Sequence, residues 1–125
     1  MPSDKTGTFT MQKIVEKHVA LVEALKEWIE VHVHEPIKIE DVAHKAGYSK
    51  WHLQRVFQDV TAETLGSYIR NRKLALAAEE LKNTRYSVCF ISDRYGFDSQ
   101  QTFTRVFSRV FNQSPRAFRK SNARM

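Results

Sequence analysis

Gly47-Tyr48-Ser49-Lys50-Trp51-His52-Leu53-Gln54-Arg55-Val56-Phe57-Gln58-Asp59-Val60 is the stretch whose reading decides the fold. Gly47 sits at the turn that ends a preceding helix, and Ser49 is a natural N-cap for the next one. Leu53, Val56, Phe57 and Val60 then fall at i, i+3, i+4 and i+7, which makes one buried stripe. Trp51, Gln54, Arg55 and Gln58 follow the same spacing on a second face, where an aromatic ring stands beside amide and guanidinium groups. In the major groove of DNA, Gln pairs bidentately with adenine, Arg with guanine, and an apolar surface meets the thymine methyl. Upstream, Ile39, Val42 and Ala43 supply the apolar side of a short first helix. A short helix, a Gly turn and a second helix with a base-reading face form the helix-turn-helix pattern.

Taken alone, an amphipathic helix with Gln and Arg on its wet side is ordinary. The same pattern occurs twice, however. Ile39-x-x-Val42-Ala43-x-x-x-Gly47-Tyr48 is answered by Val88-x-x-Ile91-Ser92-x-x-x-Gly96-Phe97 at an offset of 49. After a one-residue insertion the offset becomes 50, and Leu53, Val56, Phe57 and Val60 are answered by Phe103, Val106, Phe107 and Val110. The outward set Trp51, Gln54, Arg55, Gln58 is answered by Gln101, Thr104, Arg105, Ser108, with Gln100 at the insertion and Asp98 or Ser99 as the cap. The next turn recurs as well, Thr64 and Tyr68 being answered by Ser114 and Phe118. Duplication followed by drift would keep the buried stripe and free the wet face. Here an Arg returns at the same wet position.

The rest of the chain fits around the two copies. Residues 1–10 are polar and aperiodic and are expected to form a flexible tail. From Met11 to about His34, Val15, Val19, Val22, Leu25 and Ile29 mark a packing helix that Pro36 prevents from continuing. His32 and His34 would point about 200° apart on that helix, so they do not converge on a metal. A helix from about Glu63 to Lys82 separates the copies, with Arg70, Arg72 and Lys73 forming a basic patch on it. Its roughly 30 Å length, at 1.5 Å per residue, approaches the ~34 Å turn of DNA. A stiff linker that does not match straight DNA would bend the duplex, at a cost of order 1–6 kcal/mol. Pro115 suits the first turn of a last helix that runs to about Lys120.

Composition excludes several other classes. At 125 residues, with 42% hydrophobic and 27% charged side chains, the chain can fold without disulfides, and its single cysteine leaves none to form. No cofactor motif, zinc spacing or Gly-rich phosphate loop is present, and the carboxylates do not cluster in a metal-binding arrangement, so an enzyme is not expected. Cys89 lies in an apolar run, where a structural thiol is expected rather than a nucleophile. No stretch approaches a membrane span or a signal peptide, so a cytoplasmic protein is expected. The net charge of +6 is uneven: residues 1–62 sum to −1 and residues 63–125 to +7. Basic excess in one half suits a polyanionic partner. A helical bundle that binds only protein is the rival reading, and its binding would lack the steep salt dependence of DNA binding.

Gly47-Tyr48-Ser49-Lys50-Trp51-His52-Leu53-Gln54-Arg55 and Tyr95-Gly96-Phe97-Asp98-Ser99-Gln100-Gln101-Thr102-Phe103-Thr104-Arg105 together resemble the AraC/XylS family of bacterial transcription regulators. The nearest part of that family is the stand-alone group of MarA, SoxS, Rob's DNA-binding part, RamA and TetD. The likeness runs from about Val22 to Lys120. It implies an all-α fold of about seven helices, with two helix-turn-helix subdomains joined by a long central helix. The expected divisions are 1–17 for a tail and helix entry, 18–62 and 84–125 for the subdomains, and 63–83 for the linker helix. The resemblance also implies a monomer on double-stranded promoter DNA that activates transcription through RNA polymerase. By position, Trp51, Gln54 and Arg55 would read bases in one groove segment, and Gln100, Gln101, Thr104 and Arg105 in the next. Ser49, Lys50, Arg72, Ser99, Arg109 and Arg119 would hold phosphates. Without room for an effector-binding domain, control by cellular amount is implied. Ser92 and Phe118 depart from the Ala and Tyr usual in the group.

Overall fold

The computed structural model describes residues 2–122, with side chains described from residue 10 onward. Among the described residues seven helices follow one another: α1 (Pro2–His32), α2 (Ile39–Ala46), α3 (Lys50–Thr61), α4 (Leu65–Asn83), α5 (Val88–Arg94), α6 (Gln100–Phe111) and α7 (Pro115–Asn122). The fold is all-α, and no strand occurs among the described residues. The chain gathers into two compact units, Met1–Val31 with Lys38–Tyr68, and His32–Ile37 with Ile69–Met125.

The first unit is built on the predicted stripe. Leu53, Val56 and Phe57 of α3 are buried, together with Val22, Leu25 and Ile29 of α1, Val42 and Ala43 of α2, and Leu65 at the start of α4. The second unit repeats this on an aromatic scale. Phe103 and Phe107 of α6 are fully buried with Ile91 and Tyr95, and Phe97, Phe111 and Phe118 pack against them. Fully burying an apolar side chain of this size contributes about 1.5–3 kcal/mol, and each unit gathers several of them. One aromatic pair is duplicated in place: Phe57 and Tyr68 have ring centroids 5.4 Å apart, and Phe107 and Phe118 likewise 5.4 Å.

The turns are duplicated with the same chemistry. Gly47 and Gly96 both take the left-handed conformation, at φ 78° and 79°. The following N–H in each case returns to a carbonyl five residues back, Tyr48 to Ala43 at 2.9 Å and Phe97 to Ser92 at 3.0 Å. That closes the carbonyl end of the short helix while reversing the chain. Ser49 and Ser99 each accept from a backbone N–H three residues on, His52 and Thr102, both at 3.1 Å. Thr64 and Ser114 cap α4 and α7 in the same manner. After α3 and α6, Ala62 and Asn112 stand at φ 61° and 59°.

The structure corrects the sequence reading in four places. The expected tail is helical from Pro2. A proline is tolerated in a first helical turn, and a helix once nucleated extends one hydrogen bond per residue. The apolar stripe of α1 is buried only from Val22 onward. Val15 remains 55% exposed and Val19 is exposed too, because 31 residues of helix outrun the 8 and 12 of α2 and α3. Similarly, Val110 in the last turn of α6 is 44% exposed and Val60 half-buried, since the left-handed turn directs the chain away there. Cys89 is exposed: the inward positions of α5 are Val88, Ile91 and Ser92, and residue 89 lies about 100° off that face.

The helix expected as a linker does more than connect. Leu74, Ala77, Ala78 and Leu81 of α4 belong to the core of the second unit. On its polar side Glu80 accepts from Arg94 Nε at 3.0 Å. Tyr95 lies against the same carboxylate, and its hydroxyl meets His34 Nε2 at 3.2 Å. Helix α1 has ended at His32, so His34 is free to turn to this contact. Burial, and then the charge and hydrogen bonding of Glu80, push the Tyr95 phenol up to about 12.

Three outcomes follow for stability. Gly47→Ala should destabilise by about 1–2 kcal/mol, because a Cβ would meet no atom there but left-handed backbone penalises it. Ala62→Gly should stabilise by a few tenths of a kcal/mol to about 1, by the same argument reversed, and urea unfolding of both variants checks the pair. The unfolded tyrosine ionises near pH 10 and Tyr95 only near 12, so the folded state loses stability as pH rises between those values. The slope from this group reaches at most about 1.4 kcal/mol per pH unit. Tyr95→Phe should flatten that alkaline loss in unfolding measured from pH 9 to 12.

Candidate nucleic-acid interface

Helices α3 and α6 each bury one stripe and turn the opposite side to solvent. On α3, Trp51 is 79% exposed, Arg55 and Gln58 are exposed, and Gln54 is half-buried beside the core residues Leu53 and Phe57. On α6, Gln100, Gln101 and Arg105 are exposed and Thr104 is half-buried. Position by position, Trp51 and Gln101 are both exposed, Gln54 and Thr104 both half-buried, and Arg55 and Arg105 both exposed, while Gln58 is exposed and Ser108 half-buried. Leaving an indole of this size in water costs apolar burial that the fold could have used, and a solvent-facing large ring marks a contact surface.

The N-terminus of each of these helices is also prepared. The serine caps hold the first turn open, leaving further backbone N–H groups and the positive end of the helix dipole at the surface. Such ends bind anions such as phosphate. Near the start of α3, His52 packs against Tyr48 at 4.8 Å between ring centroids and meets the edge of His18 from α1 at 6.2 Å. No local pattern marks this ring cluster, since His18 lies 34 residues from His52 and carries no periodic sign.

The expected phosphate residues are dispersed in character. Ser49 and Ser99 cap helices, and Ser99 Oγ also bonds Thr102 Oγ1 at 3.0 Å. Lys50 is exposed and pairs with Glu40 at 3.0 Å, an exchangeable surface contact. Arg72 is half-buried on α4, and Arg109 is exposed on α6. Arg119 is committed within its own unit: Nε donates to the Leu81 carbonyl at 3.0 Å and Nη2 to that of Tyr86. It thereby closes the C-terminal end of α4 from α7. Nothing in local sequence distinguishes that arginine from its surface neighbours, because its partners lie 38 and 33 residues away.

Comparison with known proteins decides the family. A family model described as a helix-turn-helix domain matches residues 42–121. The chain belongs to the AraC-type helix-turn-helix family of transcription regulators, in its MarA/SoxS/Rob group. It is 49% identical over 102 residues to the regulatory protein SoxS of Salmonella typhimurium, covering 82% of this chain and 95% of SoxS. The right origin-binding protein of Escherichia coli K12 is 48% identical over 101 residues, which is 81% of this chain but 35% of that protein. Among solved structures, the DNA-binding domain of the transcriptional factor AdpA, in complex with a target DNA, aligns with a TM-score of 0.75 and 26% identity, covering 80% of this chain and 90% of that one. Its relatives are regulators rather than enzymes. Among the described residues, no helix is long and apolar enough to cross a membrane.

The Arg119 clamp and the exposed arginines can be separated by stability. Arg119→Met should lower the midpoint of thermal unfolding, because the part-buried Leu81 carbonyl loses a charged donor worth about 1.5–3 kcal/mol and the exposed Tyr86 carbonyl loses a weaker contact. Arg105→Ala, on open surface, should change the unfolding free energy by no more than about 0.5 kcal/mol.

Proposed function

We propose that this AraC-type regulator is a sequence-specific transcriptional activator that reads two adjacent major-groove segments of a promoter as a monomer. Trp51, Gln54 and Arg55 read one segment, and Gln100, Gln101, Thr104 and Arg105 the next. Ser49, Lys50, Ser99, Arg72 and Arg109, with the helix N-termini, hold phosphates. Arg119 would join them only by releasing part of its clamp on Leu81 and Tyr86. The observation that carries the reading is the matched exposure of two polar faces, each bearing an Arg at the same place on a Ser-capped helix. A structural duplicate needs its inner stripe; it does not need the outer one.

Supporting this, one chain carries both reading helices, so a bipartite site can be engaged without a second copy. The basic excess of residues 63–125 favours the duplex through release of its counterions. The AdpA domain is a relative solved on its target DNA, and SoxS is a regulator of nearly the same extent as the matched region. Activation follows by contact with RNA polymerase in the cytoplasm.

Selection from random duplexes supplies the binding site, and gel shifts then test the faces. Arg55→Ala and Arg105→Ala should each weaken binding by about 1–3 kcal/mol and relax specificity at different base pairs. Binding by both variants as tight as wild type would overturn the assignment. Wild-type affinity should fall steeply with salt, and a salt-insensitive complex would point to the protein-binding bundle instead. On the selected site, purified polymerase should transcribe more with the protein than without it.

A further inference from the structure

The duplication gives positions in one unit counterparts in the other, and one pair of corners differs in a telling way. At the offset of 49, Lys45 and Ala46 of α2 correspond to Arg94 and Tyr95 in the second unit. There the corner is filled. Tyr95 is 2% exposed, its ring closing the space beside α4, and Arg94 is neutralised by the Glu80 carboxylate at 3.0 Å. An aromatic ring and a carboxylate together complete that packing.

In the first unit both are missing. Ala46 supplies only a methyl group in place of the ring. Lys45 makes no ion pair among the described residues; its ammonium stands over the Trp28 indole, 5.8 Å from the ring centroid. What remains is an open cleft of about 270 Å³ between α1 and α2. Leu25, Trp28, Val42 and Ala46 line it, and Leu53 of α3 lies beneath. Its lining is almost wholly apolar, with Lys45 as its single charged group.

We propose that this cleft binds a small flat aromatic carboxylate, whose ring takes the place Tyr95 holds in the other unit and whose carboxylate takes that of Glu80. Apolar walls recognise the ring, and the amine fixes its orientation, the usual division of labour in small-molecule sites. The size restricts the ligand to one or two fused rings, since drug-sized molecules occupy clefts of roughly 300–1,000 Å³. The Lys45 ammonium already stands over the Trp28 ring at the cleft, where a carboxylate can pair with it. None of these residues belongs to the proposed reading faces, and the proposal is independent of that assignment.

The test is an amide NMR titration of the full, DNA-free chain with 2-naphthoate and with uncharged 2-naphthamide. Naphthoate should give saturable shifts confined to the surroundings of Trp28, Val42 and Ala46, and should bind about threefold or more tightly than the amide, as an exposed ion pair permits. Lys45→Met should abolish that preference. Ala46→Tyr, which supplies the missing ring, should abolish binding of both while far-ultraviolet circular dichroism stays unchanged. Absence of saturable shifts at millimolar naphthoate, shifts centred elsewhere, or a folded Ala46→Tyr chain that binds as wild type would each overturn the proposal. If Ala46→Tyr does not fold, Lys45→Met decides: a preference for the acid that survives it removes the recognition argued here.

Discussion

A helix of 12 residues can bury one stripe and no more, and both α3 and α6 spend that stripe on large rings and branched chains. Leu53, Val56 and Phe57, and in the second unit Phe103 and Phe107, fix the rotation of each helix about its axis. Rotating either one by a single residue, about 100°, would bring an arginine or glutamine toward a core that has no partner for it. The outward direction of Trp51, Arg55, Gln101 and Arg105 is therefore a consequence of what lies behind them. The core aims the candidate reading face.

The turn before each helix sets the other angle. Gly47 and Gly96 let the chain reverse in a left-handed step that other residues adopt only under strain, and the serines that follow start the next helix at once. Short helices carry little stability of their own. Helices α2 and α5, at 8 and 7 residues, hold because their ends are closed by these turns and their few inward residues are buried. The two units thus share a design but differ in filling. The second is an aromatic core whose Arg–Glu–Tyr–His corner closes around the buried Tyr95; the first is aliphatic and leaves the corresponding corner open.

Helix α4 shows how a role can be misjudged from sequence. Between two duplicated motifs, 19 helical residues invite the role of a spacer. Yet Leu74, Ala77, Ala78 and Leu81 are as buried as any residue of the second unit, so the helix is that unit's first packing element, as α1 is of the other. Alanines blur the distinction, because a small residue suits both a solvent-facing helix and a close helix contact. The same ambiguity, in reverse, affects Val15, Val19 and Val110: their spacing is right for burial, but no neighbouring element reaches them.

The sequence by itself determined the helical class, the positions of α2, α3 and α7 to within two residues, the Ser49 cap, the glycine turns and the candidate reading residues. Each rests on interactions within a few positions along the chain, where periodicity and capping chemistry are directly legible. Only the tertiary structure decided which parts of the apolar stripes are covered and that Cys89 faces outward. It likewise decided that Arg119 closes α4 and that Arg94, Glu80, Tyr95 and His34 meet. Those facts depend on where helices end relative to their neighbours, and on partners 14 to 61 residues apart, for which local pattern carries no mark.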